Sequence, residues 1–218
     1  MYKYYFFDLD GTLTDPGIGI TNSVMHALKE YGITVDDRSQ LYPFIGPPLK
    51  DSFMKYYGFS EVKAMEAITH YREYFSTKGL FENEMYEGIP YILSELKGRG
   101  IRLVLATSKP DEFSIRILKH FGLYEYFDFI AAATMDERRT SKAEVIEYAI
   151  SSLEISDKDE ILMIGDRSHD ILGAKANGIH SAGVLYGYGD RQELESSGAD
   201  YIVEKPAGLL RLPYQENI

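Results

Sequence analysis

From about Tyr86 onward, helical and strand periodicities alternate along the chain, and this alternation constrains the fold more than any other feature. Ile89, Ile92, Leu93 and Leu96 recur at helical spacing and stop at Gly98 and Gly100, after which Arg102-Leu103-Val104-Leu105-Ala106 is a short apolar strand. Phe113, Ile117, Leu118 and Phe121 form the next helical stripe, closed by Gly122. Phe129 to Ala133 reads as a strand. Ser141 and Glu144 form a capping box that opens a helix bearing Val145, Ile146, Ala149, Ile150 and Leu153. Ile161-Leu162-Met163-Ile164-Gly165 has the composition of a buried strand; Ile171, Leu172 and Ala176 mark a helix ended by Asn177-Gly178, and Ala182 to Leu185 and Tyr201 to Val203 read as the last strands. Strands separated by helices pair in parallel, because each return to the sheet is made by a crossover helix. The expected fold class is α/β, a doubly wound parallel sheet.

The segment from Pro16 to Phe81 breaks the alternation. Ile20, Val24, Ala27, Leu28 and Tyr31 fit a helix, as do Leu49, Phe53 and Tyr56, and then Val62, Met65, Ile68, Tyr71 and Phe75. No strand is expected among them. The chain therefore divides into an α/β core over residues 1-15 and 82-218 and an inserted α-helical subdomain over residues 16-81, with Gly17, Gly19 and Gly79 as candidate hinge points.

Composition narrows the function classes. A net charge of -11 and a pI near 4.9 argue against a nucleic-acid surface, which needs clustered Lys and Arg. The absence of cysteine removes disulfides, thiolate catalysis and Cys-based zinc sites. Met1 to Phe7 is too short an apolar run for a signal peptide, and no stretch approaches the roughly 18 apolar residues of a membrane span. A soluble, cytoplasmic protein is expected, with no nucleic-acid or membrane partner, acting as a monomer or homodimer.

The chemistry gathers at strand ends. Tyr4 to Phe7 runs into Asp8, and Asp10 follows two positions on. On an extended strand residues i and i+2 share a side, so both carboxylates are expected to leave the strand in one direction, with Gly11 permitting a sharp turn. Two anions this close repel unless a cation or a shared proton intervenes. Ligands of open parallel sheets bind beyond the carboxyl ends of the strands. There the sequence also places Thr107-Ser108-Lys109-Pro110, Lys142 in the first turn of a helix, and Asp166 with Asp170. Singly each has a structural alternative: Thr107 and Ser108 as helix caps, Lys142 as a solvated lysine, Asp166 as an N-cap, Asp170 as a solvated helix residue. Jointly they mark a site. His169 is read as a bystander. Converging acids call for a divalent cation, and oxygen donors without Cys or a His pair select Mg²⁺. Such an ion with a lysine and a hydroxyl binds a phosphoryl group.

Asp8-Leu9-Asp10-Gly11-Thr12, Thr107, Lys142 and Gly165-Asp166-Arg167-Ser168-His169-Asp170 resemble the four motifs of the haloacid dehalogenase-like hydrolase superfamily. The helical insert resembles the cap of its phosphoglycolate phosphatase-like and phosphomutase-like members. Ala143 stands where many relatives carry proline, and Lys109 is a nearby competitor for the role of Lys142. The resemblance implies a Rossmann-like core, Mg²⁺ as cofactor, and hydrolysis of a small phosphorylated metabolite. Asp8 would be the nucleophile that forms an aspartyl-phosphate, and Asp10 the general acid and base. Gly11, Thr107, Ser108 and Lys142 would bind the phosphoryl group. The metal would sit on Asp8, on Asp10 through its backbone carbonyl, on Asp166 and on Asp170. The rigid Gly46-Pro47-Pro48 turn of the insert is the candidate for reading the leaving group. Asp10 favours phosphoester hydrolysis over dehalogenation, and the Pro-Pro pair, with no arginine beside it, favours a phosphatase over a phosphomutase. For phosphonate cleavage no Schiff-base lysine is marked out among Lys29, Lys50, Lys55 and Lys63. A phospho-receiver module shares the Asp, Thr and Lys set but lacks an insert. Phosphoglycolate, nucleoside monophosphates, sugar phosphates and pyrophosphate all remain open as substrates.

Overall fold

A computed structural model describes residues 1–136 and 139–214. The chain forms two compact units, Met1–Thr14 with Met85–Ile218, and Asp15–Glu84. In chain order the longer elements begin with β1 (Tyr4–Phe7), α1 (Gly17–Lys29), α2 (Leu49–Tyr57), α3 (Glu61–Tyr74) and α4 (Ile89–Gly98). They continue with β2 (Arg102–Pro110), α5 (Asp111–His120), β3 (Phe129–Ala133), α6 (Lys142–Ser152) and β4 (Ile161–Gly165), then α7 (Ser168–Asn177), β5 (His180–Val184), α8 (Arg191–Ser197) and β6 (Tyr201–Val203). Two short strands, Thr14–Asp15 and Glu84–Met85, pair in a separate two-stranded sheet.

In the larger unit six parallel strands lie in the order β3-β2-β1-β4-β5-β6. β1 is central, with Phe7 opposite Leu105 on one side and Ile164 on the other. The chain winds outward from β1 to β3, then returns to the far side of β1 as β4. The direction of winding reverses between β1 and β4, which is where such sheets open a ligand crevice. Burial on both faces explains the uninterrupted apolar runs of β1 and β4. Tyr5, Phe6 and Phe7 are all fully buried, and Phe6 packs with Val104, Met163, Val145 and Ile146. Ser141 and Glu144 form the expected capping box at the start of α6.

Two local readings need correction. The second strand runs past Ala106 to Pro110, with an irregular register between Thr107 and Pro110, so the polar segment is an extended strand end and not a loop. In α7 the buried face is Ile171, Gly173 and Ala174, whereas Leu172 is 52% exposed. Small residues there admit the stem of Lys142: a Cβ on Gly173 would lie 2.9 Å from Lys142 Cγ.

The smaller unit is helical. α1 buries Ile20, Val24, Ala27 and Leu28, and it ends at Lys29, before Tyr31. α3 packs against α1 and buries Ala64, Ala67, Ile68 and Tyr71, while Val62 and Met65 of the expected stripe are exposed. Alanines let two helices approach closely, so packing overrides side-chain hydrophobicity in choosing the face. A 3₁₀ segment, Arg38–Phe44, was not foreseen; Asp37 caps it by accepting a bond from Ser39 N at 2.9 Å. Phe44 and Phe53 fill the interior with their ring centroids 5.1 Å apart. Gly17 and Gly19 lie within α1 and Gly79 in a wide helical turn, Phe75–Gly79; Gly19 and Gly79 serve close approach, since a Cβ on Gly19 would stand 1.9 Å from Gly79 O. Among the described residues no helix is long and apolar enough to cross a membrane.

Candidate active site

Asp8 stands just past β1, and its N–H still bonds Ile164 O at 2.9 Å, so the sheet itself fixes its position. The chain then folds back on itself: Leu13 N and Thr14 N donate to Leu9 O at 2.9 and 3.1 Å, and Gly11 N donates to Thr14 O at 2.7 Å. Gly11 takes φ +81°, a backbone conformation that L residues avoid. Asp8 and Asp10 are both buried, but their carboxylates have different partners. Lys142 Nζ is 2.7 Å from Asp8 Oδ1, whereas Lys109 Nζ bonds Asp10 Oδ2 at 2.5 Å. The two lysines are therefore not competitors for one role.

Lys142 is the hub of the site. Its Nζ lies 2.9 Å from Asp170 Oδ1 and donates to Ala106 O at 2.9 Å, which ties the ends of β1 and β2 to α7. Burial works against its charge, but the carboxylates of Asp170 and Asp8 outweigh that and hold it above the ordinary lysine value. For Asp10 burial pushes the carboxyl up, opposed by Lys109 and reinforced by Asp8.

Carboxylate oxygens of Asp8, Asp166 and Asp170 all lie within 4.8 Å of one another. Asp166 is fully buried; its Oδ2 accepts from Tyr188 N at 2.7 Å, and its Oδ1 accepts no hydrogen bond. Asp170 Oδ2 accepts from Arg167 N at 3.1 Å. Burial, then the neighbouring charges of Asp170 and Asp8, push Asp166 well above the usual carboxylate range. Burial likewise pushes Asp170 up to about 6, with Lys142 opposing. Three crowded buried acids, with Asp166 Oδ1 accepting no hydrogen bond, form an all-oxygen donor set that fits a hard divalent cation.

The remaining expected residues sort as follows. Thr107 is buried, and its Oγ1 accepts from Lys109 N at 3.2 Å. Neither Thr107 nor Ser108 caps α5, whose N-cap is Pro110 with no side-chain bond. Ser108 is half-buried at the end of β2 and His169 is exposed. Gly46, Pro47 and Pro48 belong to the helical unit, where Pro48 precedes α2. There Lys50 pairs with Glu61 at 3.1 Å, and Lys63 sits 4.0 Å from the centroid of the Phe59 ring. The reading of the sequence missed the segment after β5, Tyr186-Gly187-Tyr188-Gly189. Tyr188 supplies the N–H to Asp166, and Tyr186 OH donates to Thr12 O at 3.2 Å. Its alternation of aromatic and glycine at a strand end was the available signal.

The family profile of haloacid dehalogenase-like hydrolases matches residues 5–184. The chain belongs to this family. A 5'-nucleotidase of Pseudomonas aeruginosa is 48% identical over 195 residues, which is 89% of this chain and 88% of that protein. The tyrosine-protein kinase PtkA of Mycobacterium tuberculosis is 41% identical over 183 residues, 84% of this chain and 62% of the kinase. Among solved structures, a predicted phosphatase from Clostridium acetobutylicum superposes with a TM-score of 0.95 at 50% identity, covering 97% of each chain. This family member thus carries Asp8, Asp10, Lys142, Asp166 and Asp170 on one crevice of the sheet.

Proposed function

We propose that this hydrolase is a Mg²⁺-dependent phosphatase of small phosphate monoesters that works through an aspartyl-phosphate on Asp8. The observation that carries the reading is the pairing of the two acids with separate lysines. Lys142 Nζ lies against the Asp8 carboxylate and holds the nucleophile in place, while Asp10 is held apart as an acid whose proton affinity burial has raised. Asp8 attacks phosphorus, forming one P–O bond as the bond to the leaving oxygen breaks. Asp10 gives that oxygen its proton. Water then attacks the phosphoryl group, Asp10 takes the proton back, and inorganic phosphate leaves with Asp8 restored. Lys142, Thr107, Ser108 and the backbone at Gly11 hold the phosphoryl oxygens. Asp8, Asp166 and Asp170, with the backbone carbonyl of Asp10, would hold the cation. When bound, it supplies positive charge against the phosphoryl oxygens and the crowded acids.

Leaving-group choice falls to the helical unit, with the Gly46-Pro47-Pro48 turn as the reader. The 48% identity to a 5'-nucleotidase makes nucleoside monophosphates the first substrates to try. A panel of nucleoside monophosphates, phosphoglycolate, sugar phosphates and pyrophosphate, ranked by kcat/KM with Mg²⁺ and with EDTA, tests the proposal. Metal-dependent release of phosphate from a monoester is expected. Full activity in a rigorously metal-free sample, or none on any ester with Mg²⁺ present, would contradict it.

A further inference from the structure

The segment Tyr186-Gly187-Tyr188-Gly189 follows β5 and lies directly against Asp166. A Cβ on Gly187 would stand 2.3 Å from Gly11 O and 2.4 Å from Asp166 Cβ, and one on Gly189 would stand 2.0 Å from Asp166 O. Neither position admits any residue but glycine without moving backbone. From the other side Gly11 does the same, since its Cβ would fall 2.1 Å from Asp166 Oδ2. Between these glycines Tyr188 N–H reaches Asp166 Oδ2 at 2.7 Å. The segment is anchored at its near end by Tyr186, whose hydroxyl bonds Thr12 O at 3.2 Å and whose ring meets Tyr86 edge-on at 5.0 Å.

This arrangement has a consequence for the ion. A backbone N–H locked by three glycine contacts is not easily displaced and takes up acceptor capacity of Oδ2, so Oδ1, which accepts no hydrogen bond, is the oxygen Asp166 offers a cation first. Asp170 Oδ2 likewise accepts a backbone N–H, that of Arg167 at 3.1 Å, while its Oδ1 faces Lys142 Nζ at 2.9 Å. Ca²⁺ takes about 6–8 oxygens and commonly uses both oxygens of a carboxylate, whereas Mg²⁺ takes about six in a tight octahedron, each carboxylate giving one. A carboxylate whose second oxygen is already bonded to backbone suits the smaller ion.

We propose that the Gly187–Gly189 segment is an ion-selectivity device, in which Tyr188 N–H holds Asp166 to one-oxygen binding and so favours Mg²⁺ over Ca²⁺. The inference rests on the metal site of the preceding section, and its test separates the two. Titration calorimetry on the metal-free enzyme, with no substrate present, gives the Kd for each ion. Wild type is expected to prefer Mg²⁺. Gly187→Ala must push the segment off Asp166, and the Ca²⁺-to-Mg²⁺ Kd ratio should fall by about tenfold or more, the scale of one hydrogen bond to a charged group. Should that variant fail to fold, replacing Tyr188 by its α-hydroxy acid analogue exchanges only the N–H for an ester oxygen and should lower the ratio in the same direction. Tyr188→Ala keeps the N–H and should hold the wild-type ratio. An unchanged ratio in both the Gly187→Ala and the ester variants overturns the selectivity device while leaving the metal site in place. Wild type that binds neither ion overturns both.

Discussion

The two units of this chain differ in what they bury. In the α/β unit Asp8, Asp10, Lys109, Lys142, Asp166 and Asp170 are each 0–8% exposed. In the helical unit the buried polar residues are Thr21, Ser23 and Ser52, all hydroxyls. Thr21 and Ser23 bond back to Gly17 O and Gly19 O, each at 2.6 Å, within the same helix. Burying charge costs several kcal/mol per ion unless it is paired, and a hydrophobic replacement is often at least as stable. A fold gains little stability from such a cluster, so its confinement to the crevice beside β1 is the mark of chemistry. The helical unit is built for close packing, through alanines, a glycine contact and aromatic rings.

Substitutions can break this contrast, and the largest effect is expected at Asp8. Asp8→Asn should abolish turnover with the far-UV circular dichroism unchanged, since the amide keeps the shape and loses the nucleophile. Residual turnover near wild type would remove Asp8 from the chemistry. Asp10→Asn should slow the reaction by about 10²–10⁴-fold, the usual worth of general acid–base catalysis. A rate within a few-fold of wild type would remove Asp10 from proton transfer.

In the helical unit the same kind of intervention should read out as stability. Gly19→Ala places a methyl 1.9 Å from Gly79 O and should lower Tm. The expected cost is about 1–3 kcal/mol, as for overpacking elsewhere, with the Mg²⁺ Kd unmoved. A shifted Kd with Tm intact would erase the distinction between the units. Replacing Pro47 and Pro48 by Gly should change kcat/KM unequally across esters, by a few-fold, and a small generic ester should change least. Equal changes on all esters would mean that the turn does not read the leaving group.

The smallest expected effect is a pH dependence. Asp170 is raised from 3.8 to about 6, so the folded protein keeps a proton there after the unfolded chain has lost it. Its contribution to the stability of the metal-free protein is greatest below the unfolded value and is lost as pH rises through the folded one. Metal needs the deprotonated acid, so the Tm gain from Mg²⁺ should grow between about pH 5 and about pH 7.5. A gain that shrinks over that range would show that the cation is not held by these acids.

Most of the α/β unit was legible because its central strands, Tyr4–Phe7 and Ile161–Gly165, are apolar throughout and its polar residues gather at strand ends. Asp8, Asp166 and Lys142 could be placed from strand ends and one capping box. What could not be read depends on three-dimensional neighbours. The pairing of Lys109 with Asp10 and of Lys142 with Asp8 follows from where β2 and α6 deliver their side chains. Gly187 and Gly189 look like turn residues until Asp166 is seen beneath them. In the helical unit Val62 and Met65 outrank alanine in hydrophobicity, yet α3 leaves those two exposed and buries Ala64 and Ala67.

The central claim is that the buried charge beside β1 performs covalent phosphoryl transfer on Asp8. Acid quenching during turnover of a hydrolysed ester, followed by borohydride reduction and peptide mass spectrometry, tests it most directly. An aspartyl-phosphate at Asp8 is reduced to homoserine, and that residue should be found at position 8 and nowhere else. Homoserine at another aspartate, or none in samples quenched while phosphate is being released, would contradict the account.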